Sequence, residues 1–187
     1  ISAFEAEEPV SVFSLCENIM DDPKLPMHCP YHHYLIPAVL LTAASRISGE
    51  TEEMLQKRLK TARERAGTVP GGCCGQFGCC GAAVGAGIFA CVWRGSTPLS
   101  KTGWAAGNEM TARCLSAIAS VEGPRCCKRV TYLTFSAALP AAREFLGLDL
   151  GEIPEHTCHH FNQSRECRGT ACPFFPKKKK SGIINGG

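Results

Sequence analysis

The chain has 187 residues, enough for one good-sized domain or a domain with a smaller appendage. A net charge of +3 gives no electrostatic ground for a nucleic-acid partner, and 44% hydrophobic content is that of a globular protein with a real core. No stretch reaches the roughly 18 uninterrupted apolar residues of a membrane span, so no membrane role is expected.

Residues 1–33 read as an irregular N-terminal segment. Asp21-Asp22-Pro23, Pro26 and Pro30 all break helices. The acidic start, with Glu5, Glu7 and Glu8 and no basic flank, is unlike a signal peptide, which predicts a cytoplasmic chain. Residues 34–147 read as a helical core. Tyr34 to Ile47 is a buried helix with Pro37 in its first turn, closed by Gly49. Thr51 caps a second, amphipathic helix that carries Met54, Leu55 and Leu59 and ends at Gly67. A glycine-rich loop follows from Thr68 to Cys80. Gly81 to Arg94 then has the small faces of a closely packed helix. Thr111 to Val121 and Cys126 to Leu146 are further helices, the last with a bend expected at Pro140. Residues 148–176 form a cysteine-rich irregular segment, and 177–187 a basic tail containing Lys177 to Lys180, read as solvated. No alternating strand pattern occurs. The expected fold class is all-α.

Thirteen cysteines, an odd number, cannot all pair within the chain, and three adjacent doublets suit a disulfide scaffold poorly. Reduced thiols in clusters bind metal or do redox chemistry. In Pro70-Gly-Gly-Cys-Cys-Gly-Gln-Phe-Gly-Cys-Cys-Gly81, glycines permit tight turns and expose backbone N–H groups to sulfur. A helix starting at Gly81 aims its positive end at the same thiols. Cys74 and Cys80 are the chosen ligands there.

Cys158, Cys167 and Cys172 form a second group. The ending Cys172-Pro173 resembles the last ligand of ferredoxin-type motifs, although the spacing is not a standard ferredoxin run, while His156, His159 and His160 keep a mixed zinc site open. The doublet Cys126-Cys127 lies among Arg125, Lys128 and Arg129, cations that lower thiol pKa values or hold an anionic substrate. In Met27-His28-Cys29-Pro30-Tyr31-His32-His33-Tyr34, His32 or His33 is a candidate for proton transfer. Cys16, Cys91 and Cys114 sit alone on apolar or mixed segments and read as core.

Three ordered motifs and the upstream histidine segment resemble the DUF5714 family. They are Cys-Gly-Gln-Phe-Gly-Cys-Cys-Gly-Ala-Ala from Cys74, Gly-Pro-Arg-Cys-Cys-Lys-Arg from Gly123, and Glu-Cys-Arg-Gly-Thr-Ala-Cys-Pro-Phe from Glu166. The likeness spans roughly residues 25–176. Members of that family have no assigned reaction and are sometimes joined to methyltransferase or radical-SAM modules. The resemblance carries over Cys74, Cys80, Cys126, Cys127, Cys167, Cys172, His32 and His33. It has one cysteine where this chain has Cys73-Cys74 and Cys79-Cys80, which sets Cys73 and Cys79 aside.

These readings together give the expected function. The chain holds an iron–sulfur cluster, [4Fe–4S] in type, with a second site allowed for. It works in redox, sulfur or small-substrate chemistry beside a radical-SAM or methyltransferase partner. An electron-transfer accessory without catalysis and a structural zinc domain are the alternatives, and the sequence leaves open whether it is an enzyme.

Overall fold

The computed structural model of the chain describes residues 11–177. The acidic N-terminus and Lys178 to Lys180 of the expected basic tail lie outside the described residues. Within them the fold is all-α, with seven α-helices, two 3₁₀ turns and no strand. No helix among them is long and apolar enough to cross a membrane.

The N-terminal segment is not irregular throughout. Helix α1 (Val12–Met20) starts at Ser11, whose side chain accepts from the Ser14 amide, and it buries Val12, Cys16 and Met20. That i, i+4, i+8 stripe is the signal the reading of 1–33 passed over. Helix α2 (Tyr31–Ile47) begins three residues before the expected Tyr34 and buries Leu35, Ile36, Val39, Leu40 and Leu41. Pro37 therefore lies in the second turn of the helix, not the first. It has no N–H for the His33 carbonyl, the acceptor four residues back. Gly85 packs on that carbonyl, and a Cβ there would run into it.

Helix α3 (Glu52–Gly67) is capped by the Thr51 side chain at the Met54 amide and is acidic in its first turn. The glycine loop contains one short helical turn, α4 (Cys73–Gln76), entered through Gly72 with φ +82°. Helix α5 (Gly81–Arg94) is the centre of the bundle, with contacts to α2, α3, α6 and α7. Most of its residues are buried, including Gly81, Ala82, Ala83, Gly85, Ala86 and Gly87. Such a helix has few bulky side chains, so its neighbours approach its backbone closely.

Helix α6 (Trp104–Ala119) starts two turns before the expected Thr111. The reason is the α5–α6 crossing. A Cβ on Gly87 would collide with Thr111 and the Gly107 carbonyl, and one on Gly107 would collide with Cys91. Gly107 is there for close packing and does not break the helix. Helix α7 (Cys127–Leu146) runs through Pro140 and buries Tyr132, Phe135, Ala138 and Leu139.

The C-terminal coil folds back over α7 and α1. The Cys158 amide donates to the Phe174 carbonyl at 2.7 Å. His156 stacks on Phe174 with ring centroids 4.9 Å apart and also meets Tyr132 and Phe13. His156 is thus a packing histidine of an aromatic cluster, with Nδ1 2.9 Å from the Pro154 carbonyl.

Candidate metal and thiol site

Two helix starts bring cysteines inward. Cys80 is the residue before α5, and Cys126 is the residue before α7. Burial pushes both thiols up, while the Ala82 and Ala83 amides draw Cys80 back down, as the Arg129 and Lys128 amides do Cys126. These are the free N–H groups that every helix N-terminus offers.

A cavity of about 820 Å³ opens between α2, α4, α5, α6 and α7. Cys29, Cys73, Cys74, Cys80, Cys126 and Cys127 all reach its wall. Cys79, one of the two loop cysteines the sequence set aside, is absent from that wall, whereas Cys73, the other, is on it. His33 also lines it, and a Cβ on Gly81 would overlap the His33 ring. The lining also includes the apolar side chains of Leu115, Ile118 and Val130.

A second, much smaller void of about 20 Å³ lies against Cys126, Cys158, Cys167 and Cys172. Burial pushes the Cys158 thiol up to about 11, and Cys126, Cys172 and Cys167 are close enough to add to the rise. Cys126 and Arg129 border both spaces and form the wall between them. Cys127 borders only the large one. Burial pushes the Cys127 thiol up to about 11, with the Cys29 amide drawing it down and Cys126 and Cys80 adding to it. The chosen ligands thus fall into two groups. Cys74, Cys80 and Cys127 face the cavity, and Cys158, Cys167 and Cys172 join Cys126 at the closed void.

All thirteen cysteines are free thiols. Four thiolates suit either a tetrahedral zinc or an iron–sulfur cluster. Spacing and room point different ways. Zinc–sulfur bonds of about 2.3 Å put tetrahedral sulfurs about 3.8 Å apart. Among the described residues no three cysteine sulfurs lie within 4.8 Å of one another, so neither group is drawn together as the ligands of one zinc ion are. Yet the void of about 20 Å³ has the room of about one water-sized sphere, as a single ion needs. The cavity of about 820 Å³ has no such limit. At both places the donors are thiols, the ligand type of zinc and iron–sulfur sites.

A family model described as a family of unknown function, DUF5714, matches residues 2–175. The chain belongs to this family. No curated protein and no solved structure matches it.

In this DUF5714 chain the upstream histidines take separate roles. His32 is 1% exposed, with Nδ1 3.5 Å from the Cys29 sulfur and 3.2 Å from the Cys29 carbonyl. Burial, with Lys128 adding, lowers its pKa to about 4, so the ring is neutral, and its Nδ1 on the Cys29 carbonyl partly offsets that fall. His33 is lowered too, by burial. His28 was passed over, yet its Nδ1 accepts from the Cys127 amide at 3.4 Å and its Nε2 meets Glu166 at 3.1 Å. It joins the C-terminal coil to the start of α7.

The three cations divide. Arg125 lines the cavity and is exposed at its rim. Arg129 is buried and donates to the Pro124 carbonyl at 2.6 Å and the Glu122 carbonyl at 3.2 Å. Lys128 is 1% exposed, does not line the cavity, and donates to the Met20 carbonyl at 2.7 Å. Its neighbours are α1 residues, because successive residues of a helix point about 100° apart.

Cys29 is the cysteine that the sequence reading left without a role. Its signal was present, since Cys29-Pro30 repeats the Cys-Pro pattern of Cys172-Pro173. Cys16 and Cys114 lie in the core, at 1% and 0% exposure, as expected from their apolar settings.

Proposed function

We propose that this DUF5714 chain is an iron–sulfur protein with two thiolate sites of different character. The observation that carries the reading is the division of the cysteines on either side of Cys126 and Arg129. Cys126, Cys158, Cys167 and Cys172 supply a set of four thiols, the number that saturates either a [4Fe–4S] cluster or one tetrahedral ion. Cys74, Cys80 and Cys127, with Cys29 and Cys73 at hand, supply a set beside a cavity large enough for a small substrate.

A bound cluster supplies electron transfer, and at an incompletely ligated iron it also supplies a place for substrate. The chain's own residues do the rest. Leu115, Ile118 and Val130 hold apolar surface and exclude water. Arg125 at the rim attracts an anionic group. His32, neutral and next to Cys29, keeps its Nδ1 on the Cys29 carbonyl and beside its sulfur and so orients that thiol. The closed site is suited to pass electrons inward from a cytoplasmic partner of the radical-SAM or methyltransferase kind, the partner classes suggested by the family resemblance. An electron carrier without its own reaction is the simpler form of the same reading.

One observation favours a second reading. The space of about 20 Å³ at the closed set matches a single ion, so Cys126, Cys158, Cys167 and Cys172 hold structural zinc in that version.

Anaerobic purification followed by iron, sulfide and zinc analysis tests both. The cluster reading expects brown protein with matching iron and sulfide. Colourless protein that carries only zinc ends it. Cys74→Ser and Cys172→Ser separate the sites. Each variant loses part of the iron and keeps the rest if there are two sites, whereas loss of all iron in both means one shared site.

A further inference from the structure

A third group of metal-ligating side chains stands apart from the cysteines. Glu17 is near the end of α1, and Asp21 follows one turn later on the same face. His159 and His160 lie in the coil just before Phe161. Ligand atoms of Glu17, His159 and His160 all lie within 4.8 Å of one another, which no other trio of His, Cys, Asp or Glu among the described residues is found to do. Adjacent histidines on a helix diverge, but these are in coil, and their rings lie 4.1 Å apart, centroid to centroid.

The oxygens and nitrogens already have assigned directions. Glu17 uses Oε1 to accept from the Tyr132 hydroxyl at 2.8 Å and turns Oε2 toward His159 Nδ1 at 3.4 Å. The other His159 nitrogen, Nε2, is 2.5 Å from Asp21 Oδ1. That is the carboxylate–histidine arrangement that orients a metal-bound imidazole from behind. His160 is 2% exposed, and neither of its ring nitrogens has a hydrogen-bond partner. Ion pairs explain His159, and Asp21 Oδ1 also lies 3.5 Å from His160 Nε2, but they leave the buried Nδ1 of His160 without a partner. A cation explains both.

Charge permits it. Glu17 and Asp21 bring two negative charges, and Lys128 brings one positive charge that is held by the Met20 carbonyl. The net of −1 favours a divalent ion. We infer that Glu17, His159 and His160 bind a divalent first-row cation of the zinc and ferrous iron class, with Asp21 as the positioning carboxylate. Two imidazoles and a carboxylate form a nitrogen–oxygen set, which selects differently from the thiolates. The ion clips α1 to the coil one residue after Cys158 and so anchors the cysteine-rich segment. This holds whether the cysteines carry clusters, zinc or nothing.

The test uses the whole chain, purified anaerobically and equilibrated with Co²⁺, then dialysed. Bound cobalt is counted, and its first coordination shell is read by X-ray absorption at the cobalt edge. The expected result is one Co²⁺ per chain with nitrogen and oxygen neighbours, beside any sulfur-bound cobalt that empty thiol sites take up. Glu17→Gln and His159→Ala lose it, Cys172→Ser keeps it, and Asp21→Asn weakens retention by about 10- to 100-fold. His159 and Asp21 are each about half exposed, so their replacement leaves the fold intact, and circular dichroism verifies that. Three results overturn the inference: no Co²⁺ retained by the wild-type chain, sulfur in the first shell of all the cobalt retained, or unchanged retention in both Glu17→Gln and His159→Ala.

Discussion

Cys126 and Cys127 are neighbours in sequence, but only Cys126 reaches the small void. Cys126 borders the small void with Cys158, Cys167 and Cys172 as well as the large cavity, whereas Cys127 borders only the large cavity with Cys29, Cys74 and Cys80. The cause is the start of α7. Cys126 is still extended, with φ −146°, and Cys127 is the first helical residue, so their side chains diverge. The doublet therefore predicts separable defects. Cys126→Ser should reduce the iron held with Cys158, Cys167 and Cys172, and Cys127→Ser should reduce that held at the cavity. Iron counts and electron paramagnetic resonance of the two variants read this directly. Identical losses and identical residual spectra would refute the division.

Arg129 sits between the two spaces and keeps its guanidinium on the Glu122 and Pro124 carbonyls. A fixed cation beside a cluster favours its reduced, more negative state. Arg129→Gln should therefore lower the reduction potential at both sites while leaving the iron content close to wild type. A redox titration followed by electron paramagnetic resonance checks it. Unchanged potentials at both sites would mean that the guanidinium serves only the carbonyls.

Much of the fold was legible because it rests on local signals. The Thr51 cap, the Gly81 start and the apolar run of α2 each report on their own few residues. Helix α6 was read too short because a glycine in a helix counts against it until the partner is known, and Gly107's partner is Cys91 on another helix. The candidate site shows the same limit. Cysteine spacing marks three motifs, but their partition depends on chain crossings. His28 gained its place only when Cys127 and Glu166 came within reach, 99 and 138 residues away in sequence. Glu17 with His159 could not be anticipated, since α1 was itself passed over.

Gly85 gives a test of the packing at Pro37. The His33 carbonyl has no helix donor, and Gly85 fills the space beside it. Gly85→Ala forces backbone apart in a tight core, at a cost of about 1–3 kcal/mol. The melting temperature should fall by about 2–4 °C per kcal/mol for a chain of this size. Gly75 is the control. It lies in α4 without a positive φ, and nothing is within 4 Å of an added Cβ. Gly75→Ala should leave the melting temperature unchanged or raise it. Equal destabilisation by the two would show that the His33 contact is not the cause.

Glu50 links the ends of α2, α3 and α5. Its Oε2 accepts from Ser45 Oγ at 2.7 Å and from Arg58 Nε at 3.0 Å, and its Oε1 accepts from Arg58 Nη2 at 2.6 Å. Arg58 in turn donates to the Val92 and Trp93 carbonyls and lies over the Trp93 ring at 4.4 Å. Burial pushes the Glu50 carboxyl up, but the hydrogen bonds from Arg58 and Ser45 and the Arg58 charge more than offset it. The net result is a pKa below its ordinary 4.5. The unfolded chain then takes up this proton first as pH falls, so the stabilisation is fully present above 4.5 and is lost as pH falls through the lower folded value. Glu50→Gln should cost about 1–3 kcal/mol at neutral pH, the range for removing charge from a largely buried hydrogen-bonded pair. Urea midpoints of the two proteins should differ most near neutrality and converge in acid. A gap that stays constant across that range would assign the cost to packing and not to the carboxylate's charge.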